Sequence, residues 1–405
     1  MVTYPEDWKK QPLGKIVDIF QGGTPKTGVA SYWGGKIVWL TPGEITKIKG
    51  MYVDNSERKI TEQGLNNSSA CLLPEGAILL CTRATIGDLA IAKVPLTTNQ
   101  GFKNLVCHSD IDNVFLQYLL RTKKEEMIER AIGTTFLEIS KKELSKIIIN
   151  FPEFQEQRAI AEALNSFDTY IDDLAELIEK KCGIRDGALE DLIRHRTRLD
   201  GFTDEWTTVS FNQVIIPKAR IGWQGLKKHE YLRSGYSYLI GGTDFFHGTV
   251  SLDNIWYVSK DRYDMDVNIQ VSENDVLVTK DGTIGKVALV PELGKPATLN
   301  SGVFVFRTNN RLLPTFLFRV LSSSVFREFI DTLSAGSTIK HLYQKDLKNF
   351  EFEIPVDKKE QAAIADTLTA MDEEIEALEI ERDKMIQIRE GAMDDLLTGR
   401  VRLSV

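Results

Sequence analysis

The stretch Arg83–Ala90, RATIGDLA, determines how this chain is interpreted, because it returns as Lys280–Ala288, KDGTIGKVA, with Thr-Ile-Gly displaced by 198 residues. Two further repeats follow: FLQYLL at 115–120 with FLFRVL at 316–321, and DLIRHRTRL at 191–199 with DLLTGRVRL at 395–403. The offset drifts from 198 through 201 to 204 without a jump, so one unit is duplicated over its whole length. Solenoid repeats have periods of only about 20–50 residues, so this is a tandem pair of domain-sized units.

The composition is that of a globular protein with more than one core. A chain of 405 residues with 42% hydrophobic and 27% charged residues fits two to four domains. No apolar run approaches the roughly 20 residues of a membrane span, and the N-terminus lacks a signal-peptide pattern. We therefore expect a cytoplasmic protein without a membrane partner. The spacing of Cys71, Cys81, Cys107 and Cys182 suggests neither a metal site nor a disulfide framework, so buried thiols are the simplest interpretation.

The net charge of −8 is unevenly distributed. Residues 1–151 and 201–355 sum to +3 and 0, whereas residues 152–200 and 356–405 sum to −5 and −6. The acidity thus lies in two short segments, and the two large ones are neutral to basic. A polyanionic partner is not excluded, but the acidic segments are not expected to touch it.

Each repeat has a strand-rich front part and a helical rear part. Helices are predicted from about Val114 to Arg130 and from about Pro314 to Leu333. Each front part ends in an apolar strand that runs into Pro152 or Pro355. Short β-prone runs bounded by Gly, Pro or Asn predict strands at 36–40, 77–81, 88–92 and 104–107, with counterparts at 275–279, 286–290 and 303–306.

After each proline the apolar spacing changes to alternating fours and threes. This spacing is typical of a coiled-coil seam, and Glu156 to His195 would form one helix of about 60 Å. Neither helix can bury its seam alone, so we expect the two to pack on each other. Arg185 and Arg389 occupy equivalent later positions, where they either extend beside an imperfect seam or fix the helix register. The seam residues are Ile160, Leu164, Phe167, Ile171, Leu174 and Ile178, and then Ile364, Leu368, Met371, Ile375 and Leu378.

The predicted fold class is α+β. Two similar mixed α/β domains, 1–151 and 201–355, are joined by two long helices in segments 152–200 and 356–405. Equivalent helices that follow equivalent domains pack antiparallel if the pair obeys a pseudo-twofold internal repeat. Such an object would hold two reading domains at a fixed distance, and a duplex with two short sites is the obvious ligand.

The chain resembles the specificity subunits of type I restriction–modification enzymes, in which target recognition domains alternate with helical spacers. The resemblance covers essentially the whole chain, and no single motif is diagnostic. The second front part carries only a loose echo, 236–244, of the opening motifs. The motifs are GGTPK at 22–26, YWGGKIVWLTP at 32–42, the Thr-Ile-Gly turns, TNQG at 98–101, PEFQEQRAIA at 152–161 and LLTGRVRL at 396–403.

The resemblance implies that each recognition domain reads one half of a bipartite, asymmetric site in double-stranded DNA, while the helices set the gap. It also implies that two methyltransferase subunits dock on the chain and that restriction/translocase subunits can join them. The chain itself would be non-catalytic, a specificity subunit of a restriction endonuclease and DNA methyltransferase complex.

Motifs for catalysis are absent from the sequence. It contains no Asn/Asp-Pro-Pro-aromatic tetrapeptide and no GxxxxGK[ST] phosphate loop, and its histidines have no metal-site spacing. A self-sufficient nuclease or methylase is therefore disfavoured. S-adenosylmethionine, ATP and Mg²⁺ are expected on partner subunits, and this chain is expected to carry neither cofactor nor metal.

Sequence reading requires polar side chains at base edges and cations at phosphates. The alternative function is a duplicated interaction scaffold without its own sequence readout. The candidates in the first front part are Thr24, Lys26, Thr27, Tyr32, Trp33, Lys47, Lys49, Arg58, Lys59, Arg83, Asn99, Gln100 and Lys103. Those in the second are Lys218, Arg220, Lys227, Lys228, Arg233, Tyr236, Lys280, Asn300 and Ser301.

Overall fold

The structure is a computed structural model that describes residues 3–133, 137–220, 225–334 and 341–403. The chain forms two compact units. Unit 1 combines Met1–Leu177 with Leu378–Val405, and unit 2 is Ile178–Ala377. Each unit therefore contains one α/β domain and segments of two long helices.

The α/β domain of unit 1 contains sheets with strand orders β2–β9–β6–β7–β4, β5–β3–β8 and β1–β10. Strand β3 pairs antiparallel with β5 and parallel with β8, and the closing strand β10 pairs antiparallel with β1. The strands are β1 (Lys9–Pro12), β2 (Val17–Gln21), β3 (Trp33–Leu40), β4 (Tyr52–Val53), β5 (Arg58–Ile60), β6 (Ile78–Cys81), β7 (Leu89–Ala92), β8 (Thr97–Thr98), β9 (Phe102–Cys107) and β10 (Ile148–Phe151).

Short helices surround these sheets. They are α1 (Pro42–Ile45), α2 (Glu62–Asn66), α3 (Asn113–Thr122), α4 (Lys124–Glu129) and α5 (Lys141–Leu144), with 3-10 turns at Leu13–Lys15 and Ala30–Tyr32. The repeated stretch 115–120 lies in α3 and is fully buried. All four cysteines are free thiols, and only Cys81 is fully buried. Burial raises the pKa of Cys81 and Cys107 to about 12.

The long helix α6 (Phe154–Ile193) follows β10, and the α/β domain of unit 2 follows α6. Its sheets have strand orders β12–β21–β18–β19–β15–β14, β16–β13–β20–β17 and β11–β22. The strands are β11 (Trp206–Ser210), β12 (Ile215–Ala219), β13 (Ser237–Ile240), β14 (Phe245–Phe246), β15 (Thr249–Val250), β16 (Trp256–Val258), β17 (Gln270–Val271), β18 (Val276–Thr279), β19 (Val287–Leu289), β20 (Ala297–Leu299), β21 (Val303–Thr308) and β22 (Glu351–Pro355).

The helices of unit 2 repeat the order found in unit 1. They are α7 (Phe211–Val214), α8 (Lys260–Asp264), α9 (Pro314–Ser322), α10 (Ser324–Ser334) and α11 (Gln344–Leu347), with 3-10 turns at Lys228–Glu230, Gly242–Asp244 and Val267–Ile269. The long helix α12 (Lys358–Thr398) then follows β22.

The strand pairing confirms the duplication. Strand β13 pairs antiparallel with β16 and parallel with β20, as β3 does with β5 and β8. The predicted strands all lie within or overlap observed ones. Gly87 and Gly285 of the Thr-Ile-Gly repeats have φ of +89° and +81°, a region that suits glycine, so these stretches are structural turns.

The prediction of one continuous helix after each set of strands is wrong. Helix α3 ends before Lys123 and α9 ends before Ser323. Ser323 has an extended backbone, and its hydroxyl donates to the Val320 carbonyl at 2.7 Å. Serine side chains compete in this way with helical backbone hydrogen bonds, so the chain turns and starts α10.

The two long helices confirm the predicted 40-residue rod. Helix α6 is one helix of 40 residues that starts two residues before Glu156, and α12 has 41 residues. Within unit 1 they run antiparallel, because Tyr170 donates its hydroxyl to Glu381 at 2.5 Å while Asp168, earlier on α6, binds Arg389, later on α12. Within unit 2 they do so as well, because Lys181 binds Glu374 at 2.6 Å while Arg185, later on α6, binds Asp372, earlier on α12.

The seam residues at the start of each helix pack into an α/β domain. In unit 1, Ile160 and Leu164 join the core around α3, together with Leu396 and Leu397 from the end of α12. In unit 2, Ile364 and Leu368 of α12 join the equivalent core, together with Leu189, Leu192 and Ile193 from the end of α6. Each core is thus closed by the start of one long helix and the end of the other.

The two long helices end at equivalent positions, but different residues occupy those positions. Gly399, after α12, has φ of +73°, and a Cβ there would lie 2.5 Å from Pro5. Glycine is therefore required at this helix end. His195, after α6, takes the same conformation with φ of +52° and stacks on Trp206 at 4.5 Å.

Two alanine substitutions in α6 test this packing. Ile160 is fully buried, so we expect Ile160→Ala to lower the free energy of unfolding by about 2–5 kcal/mol, through lost burial and an unfilled cavity. Ile184, 62% exposed on the same helix, is the matched control, and Ile184→Ala should change it by no more than about 0.5 kcal/mol. Urea unfolding of the two variants measures both values, and equal effects would contradict the core assignment.

Candidate nucleic-acid interface

In unit 1 the Gly22–Thr27 loop lies against the turn after β8. A Cβ on Gly22 would lie 1.9 Å from the Asn99 carbonyl oxygen, so only glycine permits this approach. The Gly23 amide donates to the Thr98 carbonyl at 2.8 Å, and the Thr24 hydroxyl donates to Gln100 Oε1 at 2.5 Å. Two predicted site residues, Thr24 and Gln100, are therefore brought together.

An arginine lies over a tryptophan beside this loop. The Arg58 guanidinium carbon is 3.6 Å from the centre of the Trp33 ring. Trp33 packs edge-on against buried Trp39 at 5.0 Å, and its indole N–H donates to the Lys26 carbonyl at 3.3 Å. The Trp39 indole donates to the Gly23 carbonyl at 2.9 Å. The loop, both tryptophans and Arg58 therefore form one connected cluster.

The other candidates of unit 1 are more dispersed. Lys26, Thr27, Lys47 and Lys49 are exposed, while Tyr32, Lys59 and Asn99 are half-buried. Lys47 lies 3.4 Å from Glu57. Arg83 is half-buried and binds Glu138 at 2.7 Å. Burial opposes ionisation of Glu138, but hydrogen bonds from Arg83 and Lys103 outweigh it and lower the pKa of this carboxyl.

Two candidates, Lys103 and Arg220, have side chains that lie inside the protein rather than on its surface. Lys103 is 2% exposed, and its ammonium binds Glu138 at 2.9 Å. Arg220 is also 2% exposed, and its Nε donates to the Leu299 carbonyl at 2.9 Å. Burial lowers the pKa of the Arg220 guanidinium. Both side chains therefore bind groups inside their own domain.

Unit 2 carries a second arginine over a second tryptophan. The Arg233 guanidinium carbon is 3.9 Å from the centre of the Trp256 ring. Tyr231 packs edge-on against Trp256 at 5.9 Å and donates its hydroxyl to Asn300 Oδ1 at 3.4 Å. The Ser301 amide also donates to Asn300 Oδ1, at 2.8 Å. Arg233, Asn300 and Ser301 are thus brought together.

Trp256 and Tyr231 were missed by the sequence reasoning. The available signal was that Trp256 opens a short strand 198 residues after Arg58, which opens β5. The register confirms the equivalence, since Arg58 lies opposite Trp39 and Trp256 lies opposite Leu239.

The remaining candidates of unit 2 are spread over its surface. Lys227 and Lys228 are exposed, and Lys218 is half-buried on β12. Tyr236 is exposed, with the Lys260 ammonium 5.5 Å from its ring centre. Lys280 is half-buried, with its ammonium 5.5 Å from the ring centre of Phe304.

The two proposed register arginines form equivalent ion pairs. In unit 1, Arg389 of α12 binds Asp168 of α6 at 2.8 Å, and the Tyr118 hydroxyl donates to the same carboxylate at 2.7 Å. Burial and then this bond to Asp168 raise the pKa of Tyr118.

In unit 2, Arg185 of α6 binds Asp372 of α12, and Arg319 of α9 binds the same carboxylate at 2.5 Å. Burial opposes protonation of Arg185, but Asp372 outweighs it and raises the pKa. In each unit, therefore, one carboxylate joins both long helices to the α/β domain.

A second pair of arginines connects the helix ends. Arg402 binds Glu156, in the first turn of α6, through two hydrogen bonds of 2.6 and 2.7 Å. Arg198 binds Glu360, in the first turn of α12, through bonds of 2.8 and 2.7 Å. Both glutamates are buried. The sequence reasoning used these motifs only as signs of resemblance and missed their pairing.

Two features are absent from the described parts of the chain. No helix there is both long enough and apolar enough to cross a lipid bilayer. In the same residues, no group of three or more His, Cys, Asp and Glu side chains is arranged to hold a metal ion.

Fold and surface together define a class of protein. It has two similar mixed α/β domains, each followed by a long helix, with the long helices packed antiparallel and an arginine–tryptophan surface on each domain. The predicted fold class is confirmed by the strand order and by the likeness to a solved structure.

The family model for the type I restriction modification DNA specificity domain matches residues 5–181 and again residues 226–386. The chain belongs to this family. A type I restriction enzyme MjaIX specificity subunit of Methanocaldococcus jannaschii is 38% identical over 181 residues, which are 44% of this chain and 42% of that relative. The MjaVIII specificity subunit of the same organism is 22% identical over 98% of this chain and 94% of its own length.

A solved structure has the same fold. The crystal structure of a type I restriction-modification system S subunit from M. genitalium aligns with a TM-score of 0.61 over 96% of each chain, at 18% sequence identity.

Substitution of Arg389 tests whether its ion pair stabilises the helix packing. Arg389→Met leaves Asp168 without its cross-helix partner, so we expect the free energy of unfolding to fall by about 1–3 kcal/mol. The control is Arg382→Met, because Arg382 pairs with its own neighbour Asp383 on α12 and should contribute no more than about 0.5 kcal/mol. Urea unfolding measures both variants. An Arg389→Met variant with an unchanged free energy of unfolding would show that this ion pair does not stabilise the helix packing.

Proposed function

We propose that this chain is the DNA sequence-recognition subunit of a type I restriction–modification complex, without catalytic activity of its own. The observation that carries the proposal is the double match to the DNA specificity domain, once in each half of a duplicated chain. A protein with two copies of one binding domain addresses two targets of one kind. For double-stranded DNA, these are the two halves of a bipartite site.

Each α/β domain, 1–151 and 201–355, reads one half of an asymmetric site. This reading is supported by equivalent backbone positions that carry different side chains in the two domains. The bridge between Arg83 and Glu138 in unit 1 has its counterpart between Asp281 and His341 in unit 2. Base edges are distinguished by patterns of donors and acceptors, so a cation exchanged for a carboxylate changes what the surface can read.

The helical segments 152–200 and 356–405 set the spacing between half-sites and dock two methyltransferase subunits. Helices α6 and α12 carry exposed apolar side chains, including Ile184, Ile380 and Ile388, which suit a protein partner. Restriction/translocase subunits complete the assembly. S-adenosylmethionine, ATP and Mg²⁺ belong to those partners, and the complex acts in the cytoplasm.

Selection from a randomised duplex pool tests the proposal. The chain is used with and without its methyltransferase subunits, and bound duplexes are sequenced. Recognition predicts enrichment of one bipartite motif. A scaffold without readout would enrich none in either condition, and that result would contradict the proposal.

Exchange of one α/β domain should change one half-site only. We expect replacement of residues 1–151 with the equivalent part of a relative to alter one half of the methylated motif, and replacement of 201–355 to alter the other. The reason is that the two α/β domains supply their apolar residues to separate cores. Methylation mapping of the two chimaeras measures this, and a single exchange that altered both halves would disprove modular reading.

A paired insertion in the helices should lengthen the gap. Four residues are inserted between Lys181 and Arg185 of α6 and four between Asp372 and Glu374 of α12, which keeps both cross-helix ion pairs. Four helical residues add about 6 Å and a net rotation of about 40°, close to the roughly 35° between successive base pairs.

We therefore expect unchanged half-sites with a gap longer by one or two base pairs, measured by methylation mapping. An insertion of the same length in the loop between α6 and β11, after Gly201, is the control and should leave the gap unchanged. An active helix variant with its original gap would show that the helices do not set the spacing.

A further inference from the structure

Among the residues that the structure describes, Arg58 and Arg233 differ from most arginines in having no carboxylate partner. Arginines such as Arg83, Arg198 and Arg402 bind acidic side chains. Within the described ranges, the guanidinium groups of Arg58 and Arg233 instead make their contacts with tryptophan rings. Both are exposed, so their N–H donors face solvent and remain available to a ligand.

Local charges do not neutralise Arg58. The adjacent Glu57 is directed to Lys47, 3.4 Å away, and the Glu57 amide donates to Glu44. The exposed cation Lys26 lies beside Arg58, since the Lys26 carbonyl accepts the Trp33 indole N–H. Such a surface suits a polyanion, because its cations are not already satisfied by acidic neighbours.

The tryptophan under each arginine is itself held in place. Trp33 is fixed by buried Trp39 and by the hydrogen bond to the Lys26 carbonyl. Trp256 is fixed by Tyr231 and by its place in β16 opposite Leu239. A guanidinium stacked on a fixed ring loses little further freedom when it binds a ligand, so its donors are preorganised.

The two domains reach this arrangement with the residues exchanged between strands. In unit 1 the arginine opens β5 and the tryptophan opens β3. In unit 2 the tryptophan opens β16, the equivalent of β5, and Arg233 lies four residues before β13. The stacked pair is thus present in both domains although neither strand position keeps its residue type.

A planar guanidinium whose N–H donors are unoccupied has one well-matched partner among the base edges of DNA. Guanine presents O6 and N7 in the major groove as two adjacent acceptors, which a guanidinium binds through two hydrogen bonds. Phosphate contacts need only a cation and carry no sequence information, so an exposed lysine would serve for them equally well.

We infer that Arg58 and Arg233 are specificity-determining residues, each reading one guanine in the half-site of its own domain. This inference rests on the proposed function and names the base and the atoms involved. It requires that each half-site contain at least one G·C pair whose guanine N7 is needed for binding.

The test uses the full chain in complex with its methyltransferase subunits. Binding is measured by competition between the selected duplex and duplexes that carry single base-pair changes. Arg58→Lys and Arg233→Lys keep the charge but lose the two-pronged geometry. Arg311→Lys is the matched control, because Arg311 is exposed and its guanidinium contacts neither a ring nor a carboxylate within the described parts of the chain.

We expect Arg58→Lys to lose discrimination by about tenfold to hundredfold at one G·C pair of one half-site, and Arg233→Lys to do so in the other half-site. Arg311→Lys should leave every position unchanged. The wild-type complex should also lose binding when 7-deazaguanine, which lacks N7, replaces that guanine. This last measurement needs no variant, so it holds even if a substitution impairs folding.

Three results would overturn the inference. These are unchanged discrimination, a uniform loss at all positions as expected of a phosphate contact, and tolerance of 7-deazaguanine throughout both half-sites. If the wild-type complex selects no motif, the proposed function fails. If it selects a motif that the arginine variants and 7-deazaguanine leave intact, only this inference fails.

Discussion

A buried glutamate in the first turn of each long helix is the constraint on which both units depend. Glu156 and Glu360 lie inside the protein, where an unpaired carboxylate is strongly unfavourable. Each is satisfied by the arginine that follows the end of the opposite helix, Arg402 or Arg198. The charge is tolerated only when the two helix ends meet, so the pairing links the start of one helix to the end of the other.

The packing around each glutamate follows from this pairing. The adjacent glutamines, Gln157 and Gln361, each accept one backbone N–H and donate to two carbonyls, one just before α3 or α9 and one at the proline that precedes the long helix. Apolar residues at the start of the same helix then complete the domain core. Neither α/β domain would have a closed core from its own strands and short helices. Folding of each domain and association of the helices are therefore one event within a unit.

This frame allows the outer surfaces to vary. The strands that carry the arginine–tryptophan stacks keep their pairing in both units, although Arg58 and Trp256 differ at the same register position. The bridge at Arg83 becomes one at Asp281 without a change in the strands around it. The surface side chains can thus differ between the domains while the buried contacts that build them are retained.

Sequence alone determined the features that depend on local pattern and on duplication. The repeat, the strands, the Thr-Ile-Gly turns and the long helices follow from apolar spacing and glycine placement, which act over a few residues. Tertiary structure alone decided which cations are exposed. In the sequence, Lys103 and Arg220 resemble any surface cation, and only the fold brings Glu138 and the Leu299 carbonyl to them from distant parts of the chain. The partners of the buried glutamates, 246 and 162 residues away, were decided in the same way, since no local pattern records which helix ends meet.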